Sequence, residues 1–258
     1  MLTLLVDGDM IVFEICSAIE VPTCWPCEDG EPGDLWTLHA DAAEAKAKVD
    51  DRVQSLVERV LRKVKHKGDY EIVLCFTDET NFRKRILPTY KANRAGKRKP
   101  VCYYGVREWI KQNYKAYQRP GLEADDCMGI LMTSAKNKTI LLSGDKDFKS
   151  VPGMFYDFKK DVLHETTVEE ANYWHLYQTL IGDVADNYKG CPGVGPVAAE
   201  KILAKGATWD VVLGVFTSRG LSEVEALTQA RVARILRKED YDFNKKEPIL
   251  WTPRTEKK

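Results

Sequence analysis

The chain has 258 residues, a formal net charge of zero at pH 7, 44% hydrophobic residues and 30% charged residues. This size and composition predict a globular protein of one domain or two closely joined lobes. No apolar run approaches the roughly 20 residues of a membrane-spanning helix, and no basic region precedes an apolar one at the start. We therefore expect no membrane span, no signal peptide and a cytoplasmic protein. The seven scattered cysteines are expected to be free thiols, as in a reducing compartment.

Strand and helix patterns alternate along the first two thirds of the chain. Predicted strands cover 2–7, 71–78, 139–147 and 154–160, and predicted helices cover 10–20, 41–65, 106–114 and 122–135. From 168 to about 237 helices dominate, and the tail 247–253 is expected to pair with an edge or a groove. The alternation predicts an α/β fold with a mainly parallel central sheet flanked by helices.

Carboxylates follow three of the four predicted strands and crowd the start of a predicted helix in "GLEADD" (121–126). Two more stand three residues apart in "GDVADN" (182–187), where they are interpreted as one helical turn apart. The acidic candidates are Asp7, Asp78, Glu123, Asp125, Asp126, Asp145, Asp147, Asp183 and Asp186. Because ligands bind at the carboxyl ends of parallel strands, these side chains are predicted to converge at one edge of the sheet.

Any single one of these acids could be a helix cap or a turn residue. Together they would repel one another, because two unit charges about 4 Å apart cost roughly 4 kcal/mol near a protein surface. Divalent cations relieve that repulsion, and Mg²⁺ prefers carboxylate oxygens in octahedral geometry. Two such ions also suit a phosphodiester displacement. The pattern therefore indicates metal and phosphate chemistry.

Cations are concentrated in residues 82–100, where eight Lys or Arg occur without an acid and aromatic residues are interleaved. A solvated loop would explain the run, but cations beside aromatics also suit a phosphate backbone and exposed bases. Downstream, "GCPGVGPVAAEKIL" (190–203) predicts a glycine-rich hairpin that opens into a helix. Its exposed backbone amides are interpreted as a grip for the phosphates of DNA.

A single CxxC pair, Cys24 and Cys27, has the spacing of a redox motif or of half a zinc site. It lies in a Pro, Gly and acid-rich stretch, 21–34, without a second CxxC or a group of histidines. We interpret it as an ordinary loop feature.

Five segments occur together in one order: "VDGD", "FTDETNFRKRILPTYKANR", "GLEADD", "LLSGDKDF" and "GDVADNYKGCPGVGPVAAEKIL". In this order they resemble the 5′-nuclease superfamily, which includes flap endonucleases, the small domain of bacterial DNA polymerase I and phage 5′-3′ exonucleases. The resemblance is narrower towards the phage exonucleases of the T-seven type, since "WHLYQT" (174–179) and "ARILR" (233–237) also match.

The resemblance implies a 5′-nuclease, or PIN-like, fold. An α/β metal-dependent core would span 1–166 and include a basic arch at about 82–114. A helical DNA-binding part would span 167–258 and contain a helix-three-turn-helix at about 180–204, the two parts forming one compact unit.

Site residues are also implied by the resemblance. Asp7, Asp78, Glu123 and Asp125 would hold a first metal ion with Asp126 close by, and Asp145, Asp147, Asp183 and Asp186 would hold or neighbour a second. Lys91 and Arg94 match the cationic pair that grips the scissile phosphate. DNA contacts are expected from Arg83, Lys84, Arg85, Lys97, Arg98, Lys99, Gly193 and Gly195.

Three positions depart from the family. Asp9 stands where many members have a neutral residue, and it is not included among the ligands. Val197 and Ala198 stand where relatives often have Lys and Thr, so backbone groups are expected to make the contacts there.

The implied activity is 5′-3′ exonucleolytic cleavage of double-stranded DNA with two Mg²⁺ ions, for which Mn²⁺ could substitute, giving 5′-phosphorylated products. The resemblance also implies K⁺ at the helix-three-turn-helix, flap cleavage and RNA–DNA hybrids as substrates. We further expect a monomer that acts in phage DNA replication or host DNA degradation, inside the host bacterium. A phosphatase of the haloacid dehalogenase type, with Asp7 as nucleophile and Asp9 as acid/base, is one alternative. A non-catalytic DNA-binding protein of the same fold is the other.

Overall fold

A computed structural model describes residues 1–26 and 32–253. The strands are β1 (Leu2–Asp7), β2 (Val21–Pro26), β3 (Pro32–His39), β4 (Tyr70–Cys75), β5 (Lys115–Tyr117), β6 (Thr139–Ser143), β7 (Gly153–Asp157), β8 (Val162–Thr166), β9 (Tyr241–Asp242) and β10 (Glu247–Pro248). The helices are α1 (Gly8–Ile19), α2 (Ala42–Lys63), α3 (Arg83–Ile86), α4 (Tyr103–Asn113), α5 (Ala124–Ser134), α6 (Val168–Ile181), α7 (Pro196–Leu203), α8 (Trp209–Thr217) and α9 (Glu223–Ala233). Three short 3₁₀ turns cover Ala92–Arg94, Lys146–Ser150 and Lys238–Asp240.

Six strands form the central sheet in the order β5-β4-β1-β6-β7-β8. All neighbours are parallel except β7 and β8, which are antiparallel. The predicted α/β fold with a mainly parallel sheet and flanking helices is therefore confirmed. Strands β5 and β8 lie at the two ends of the sheet and were not predicted.

Strand β1 lies in the middle of the sheet, and its apolar side chains pack into a hydrophobic core on each face. Successive side chains of a strand point to opposite faces. Leu4 and Val6 accordingly pack with α1, α2 and α4, whereas Leu5 packs with α5 on the other face. A strand buried on both faces reads as a continuous apolar run, which is why the sequence identified it.

Helix α2 follows the predicted apolar stripe. The Asp41 carboxylate caps it by accepting from the amides of Ala43 and Glu44. Val49, Val53, Leu56, Val57 and Val60 are all fully buried.

The four helices α6 to α9 confirm the predicted helical character of the C-terminal third. They pack around a separate apolar cluster that includes Leu180, Val212 and Phe216. The tail pairs as expected, since β10 lies antiparallel to β9, and Trp251 beyond it contacts His175 and Trp209.

The prediction of a loop over 21–34 is wrong for the described part, because β2 and β3 form an antiparallel hairpin. Pro22, Pro26 and Pro32 suggested that no strand forms here, but Pro is tolerated in edge strands, and both strands of a two-stranded hairpin are edge strands. Cys24 lies in β2 as a free thiol, whereas Cys27 lies outside the described residues. Among the described residues, no helix is both long and apolar enough to cross a membrane.

Candidate active site

The carboxyl ends of β4, β1 and β6 lie side by side, as the sequence predicted. Asp7 is level with Cys75 of β4, and Val6 is level with Leu142 of β6. Asp78 and Asp145 follow β4 and β6 within three residues. The parallel register thus brings acids from three strands to one edge of the sheet.

Helix α5 contributes the "GLEADD" carboxylates, and each of the three has a different environment. Glu123 is the N-cap residue and forms a capping box with Asp126. Glu123 and Asp126 are buried, whereas Asp125 is partly exposed. One acid therefore begins the helix, one anchors it, and one is left without a local structural role.

Asp126 is fully buried, and its two oxygens accept four hydrogen bonds. Two come from the Arg83 guanidinium at 2.7 Å, and two come from the amides of Glu123 and Leu236 at 3.1 Å. No oxygen remains for a cation, since these donors occupy the lone pairs of a carboxylate. The inclusion of Asp126 among the metal ligands is therefore corrected: although it lies beside Glu123 and Asp125, it is the buried partner of Arg83.

Arg83 is likewise not a DNA contact. It is 2% exposed, and its guanidinium donates to Asp126, to Glu123 and to the carbonyls of Val232 and Arg234. These bonds use all five donors of an arginine, so none is left for a phosphate. The sequence could not separate Arg83 from Lys84 and Arg85, which are exposed.

Four acids form a cluster with little positive charge beside them. Burial raises the pKa of Asp7 to about 7, and Asp9 and Asp145 add to the effect. Burial together with Asp145 and Asp183 raises the pKa of Asp147 to about 7. Burial and neighbouring carboxylates also raise the pKa values of Asp125 and Asp145. We call Asp7, Asp125, Asp145 and Asp147 the acidic cluster.

The turn between α6 and α7 places Asp183 and Asp186 beside this cluster. Asp183 pairs with Tyr188 as an isolated bridge, and its carboxylate accepts from the amides of Ala185 and Asp186. The interpretation of one helical turn is therefore wrong, since helix α6 ends at Ile181. Both carboxylates nevertheless raise the pKa of Asp145, which indicates that the turn faces the sheet edge.

Lys91 enters the site from the basic segment. Its backbone is in the left-handed region, with φ of 55°, and its amide donates to the carbonyl of Asp186. The ammonium forms an ion pair with Glu123 and lies 3.4 Å from Asp186. Burial would raise the pKa of Glu123, but Lys91 and Arg83 outweigh it and lower the value to about 2. Arg94 pairs with the same Asp186 at 2.7 Å.

Tyr90 has a position that the sequence did not reveal. Its hydroxyl lies 2.9 Å from Glu123 and 2.7 Å from Asp186, and its ring stacks on Tyr188. A single hydroxyl proton can be donated to only one of the two carboxylates at a time. Only its place beside Lys91 in "TYKANR" could have pointed to it.

Asp78 and Asp9 are engaged elsewhere. Asp78 accepts from Gly121, Thr80 and Gln118, and although burial opposes it, these bonds lower its pKa to about 2. Asp9 accepts from Arg107, from the Tyr103 hydroxyl and from the amide of Thr77. Asp9 thus ties α4 to the end of β4, a role for which the sequence offered no signal.

The remaining basic residues predicted to contact DNA differ in whether their side chains already have partners. Lys84, Arg85 and Lys97 are exposed. The Arg98 guanidinium is paired with Glu20, and the Lys99 ammonium lies over the rings of Phe13 and Tyr103.

Gly193 and Gly195 lie on the surface just before α7, which begins at Pro196. Gly193 has φ of 69°, and a Cβ there would lie 2.7 Å from Arg219. Gly195 has an ordinary φ of −92° and open space where a Cβ would be. The fold therefore requires glycine at 193 but not at 195.

The donor set has the hard oxygen chemistry that Mg²⁺ takes. In the acidic cluster, burial and repulsion between carboxylates outweigh the attraction of Lys91 and Lys146. In the part of the chain that the structure describes, no three acids, histidines or cysteines are already arranged as a metal-binding group. Lys91 and Tyr90 occupy Glu123 and Asp186, and backbone amides occupy Asp7, Asp145 and Asp183. The oxygen donors have the chemistry that divalent ions take, but Lys91, Tyr90 and the amides would have to release them before they could hold an ion.

Comparison with known proteins agrees with this geometry. The family model described as 5′-3′ exonuclease, N-terminal resolvase-like domain, matches residues 37–171. The exodeoxyribonuclease of Enterobacteria phage T3 is 32% identical over 98% of this chain and 93% of its own length. The exonuclease of Escherichia phage T7 is 31% identical over 97% of this chain and 93% of its own length.

Solved structures show the same fold. The phage T5 flap endonuclease in complex with DNA and metal ions aligns with a TM-score of 0.62 at 15% identity, covering 91% of this chain and 89% of its own. The T5 5′-exonuclease with bound zinc aligns with a TM-score of 0.58 at 16% identity, covering 90% and 93%.

The family model and the phage relatives identify a nuclease, a hydrolase of phosphodiester bonds. The chain belongs to the 5′-3′ exonuclease family, in which its relatives include phage exonucleases. Among the alternatives raised from the sequence, family membership favours the nuclease over the phosphatase.

Replacing Arg83 by Met should destabilise the fold by about 3–5 kcal/mol, because removing one partner leaves the Asp126 carboxylate buried and uncompensated. The matched control is Arg85→Met, which removes the same charge from an exposed position two residues away. Urea unfolding followed by circular dichroism measures both. Equal stability of the two variants would show that the buried pair does not hold the fold together.

Proposed function

We propose that the protein is a metal-dependent 5′-3′ exonuclease of double-stranded DNA that releases 5′-phosphorylated products. The observation that carries the proposal is the acidic cluster at the carboxyl ends of β1 and β6, together with Lys91 and Arg94, which pair with the neighbouring Glu123 and Asp186. Buried carboxylates that repel one another suit cations, and the two basic side chains suit a phosphate. Family membership supports 5′-3′ polarity.

Two divalent ions, Mg²⁺ or Mn²⁺, are the proposed cofactors. Asp7, Glu123 and Asp125 would hold one, and Asp145, Asp147, Asp183 and Asp186 would hold the other. Asp78, which follows β4, would join the first set by exchanging the hydrogen bond that its Oδ1 accepts from Gln118. When bound, such ions activate water and stabilise the charge on the phosphate. The complexes of the T5 enzymes with metal ions support a dependence on divalent ions.

Lys91 and Arg94 are the proposed phosphate contacts. In the absence of other cations, they neutralise Glu123 and Asp186. Once those carboxylates are neutralised by metal ions, the ammonium and guanidinium are free to bind the non-bridging oxygens of the scissile phosphate. Tyr90 would keep Glu123 and Asp186 in position by donating to either one.

The helical part from 167 onwards is the proposed duplex-binding part, with a helix-three-turn-helix at about 180–204 and K⁺ as a candidate ion there. The turn before α7 would present backbone amides to the phosphates of the duplex. Cleavage of flaps and of RNA in RNA–DNA hybrids are proposed as further activities. A monomer acting in phage DNA replication or host DNA degradation, in the cytoplasm of the host, is the proposed setting.

Metal dependence is tested by removing one ligand. EDTA should abolish cleavage of a 5′-labelled duplex, and Mg²⁺ or Mn²⁺ should restore it. Asp145→Asn should lower the rate by about 100-fold or more, since even the groups that support metal ligands contribute about 10–100-fold. DNA binding should persist, because the change also relieves repulsion of phosphates. Asp51→Asn, at an exposed position of α2, is the matched control. Full activity in EDTA would exclude the mechanism.

Lys91 and Lys97 lie in the same basic segment but should behave differently. Lys91→Ala should lower kcat by about tenfold or more, because a contact to charge that develops on the phosphate is lost. Lys97→Ala, at an exposed position, should change mainly the affinity and reduce the salt slope by about one. Steady-state kinetics at several salt concentrations separate the two. A Lys91→Ala rate within about twofold of the unmodified enzyme would contradict the assignment.

Gly195→Val tests the grip on the duplex. The free protein has room for the added side chain, so the urea midpoint should be unchanged, whereas a backbone in contact with phosphate leaves no room for Cβ. The Kd for labelled duplex, titrated in Ca²⁺ to permit binding without cleavage, should rise about tenfold, or about 1.4 kcal/mol. Unchanged affinity would mean that the turn is only structural. Gly193→Val is less informative, because its φ of 69° would also strain the fold.

A further inference from the structure

A cavity of about 360 Å³ opens beside the acidic cluster at the same edge of the sheet. Its lining includes Asp145 and three basic residues, Lys146, Lys159 and Lys160. We call the cavity with its three lysines the lysine pocket.

The register of the sheet explains why the lysines reach this edge. Strand β7 runs parallel to β6, and Ser143 lies opposite Asp157 at their carboxyl ends. The turn from β7 to β8 contains Lys159 and Lys160 and therefore leaves the sheet next to Asp145. Lys146 follows Asp145 directly in the chain.

The turn is held in a defined shape. The buried Asp157 carboxylate accepts from the amides of both Lys159 and Lys160 at 3.1 Å. The stem of Lys159 lies across Gly144, since a Cβ at Gly144 would lie 2.6 Å from its Cδ and Cε atoms. The stem is thus packed on the residue that precedes Asp145.

The ammonium groups are available to a ligand. The side chains of Lys159 and Lys160 are 53% and 65% exposed. Their carboxylate partners, Glu14 and Asp157, lie 3.6 and 3.7 Å away, longer than a charge-assisted hydrogen bond of about 2.7–2.9 Å. Exposed pairs of this kind are weak, so an anion can replace them at little cost.

The lysine pocket and Lys91 adjoin helices on opposite faces of the sheet, since Lys91 pairs with Glu123 at the start of α5. Tyr90, next to Lys91, packs with Val232 and Ala233 near the end of α9. Met10 of α1, on the opposite face of the sheet, lines the lysine pocket. A strand whose scissile phosphate lies between them would bring a neighbouring phosphate towards the lysines.

We infer that the lysine pocket binds a phosphate of the cleaved strand, adjacent to the scissile phosphate and on the side away from Lys91. The inference rests on the proposed function. Because the acids repel the phosphates flanking the reaction centre, cations close to those phosphates are needed to keep the strand across the site.

The test combines Lys159→Gln/Lys160→Gln with duplexes that carry one neutral methylphosphonate linkage at successive positions. Titration in Ca²⁺ should show a Kd about tenfold higher for the double variant and a salt slope reduced by about one. In the unmodified enzyme, a neutral linkage next to the scissile bond should raise the Kd. In the double variant the same linkage should not raise the Kd further, because the lysines that contact this phosphate are absent. Lys159→Arg/Lys160→Arg should restore the affinity.

The matched control is Lys136→Gln/Lys138→Gln, which removes two exposed charges just before β6, at the opposite edge of the sheet. An equal loss of affinity in this control would overturn the inference in favour of overall charge. Coupling to a linkage in the complementary strand would overturn it as well. Absence of Mg²⁺-dependent cleavage by the unmodified enzyme would instead refute the proposed function, so the two failures are distinguishable.

Discussion

The rest of the site depends on the hydrogen bonds that the buried Arg83 guanidinium donates. The guanidinium joins three parts of the chain that are far apart in sequence. These are the basic segment, the start of α5 through Asp126, and the end of α9 through the carbonyls of Val232, in its last turn, and Arg234, just after it. A buried charge of this kind is stable only when every donor is satisfied. The basic segment is thereby fixed relative to α5, and Lys91, eight residues further on, is held where Glu123 can receive it.

The acidic cluster is the opposite electrostatic situation. Asp7, Asp145 and Asp147 have raised pKa values, because burial and mutual repulsion both disfavour their ionised forms. Such an arrangement costs stability in the free protein, and hydrogen bonds from Met10, Ser143 and the 3₁₀ turn after β6 offset only part of the cost. The fold therefore has destabilising negative charge at the carboxyl ends of the strands, whereas the buried charges of Asp126 and Arg83 neutralise each other.

Local sequence patterns predicted the elements that depend on local physics. The apolar run of β1, the helical stripe of α2 and the acids after β1, β4 and β6 are properties of short segments, so the sheet edge could be predicted. The hairpin of β2 and β3 could not, because its prolines resemble breaks when strand pairing is unknown. Arg83 was indistinguishable from its basic neighbours, since its partners Asp126 and Arg234 lie 43 and 151 residues away.

Glu123 connects the structural and the functional halves of this arrangement. One of its oxygens accepts from Arg83 and Tyr90, and the other accepts from Lys91. The first contact is buried with the fold, whereas Lys91 is partly exposed and can be exchanged for another cation. A carboxylate fixed on one side by a permanent charge keeps its position and a low pKa when the cation on its other side changes. The buried ion pair thus fixes Glu123 before any ligand is bound, which is the condition that its proposed role in metal binding requires.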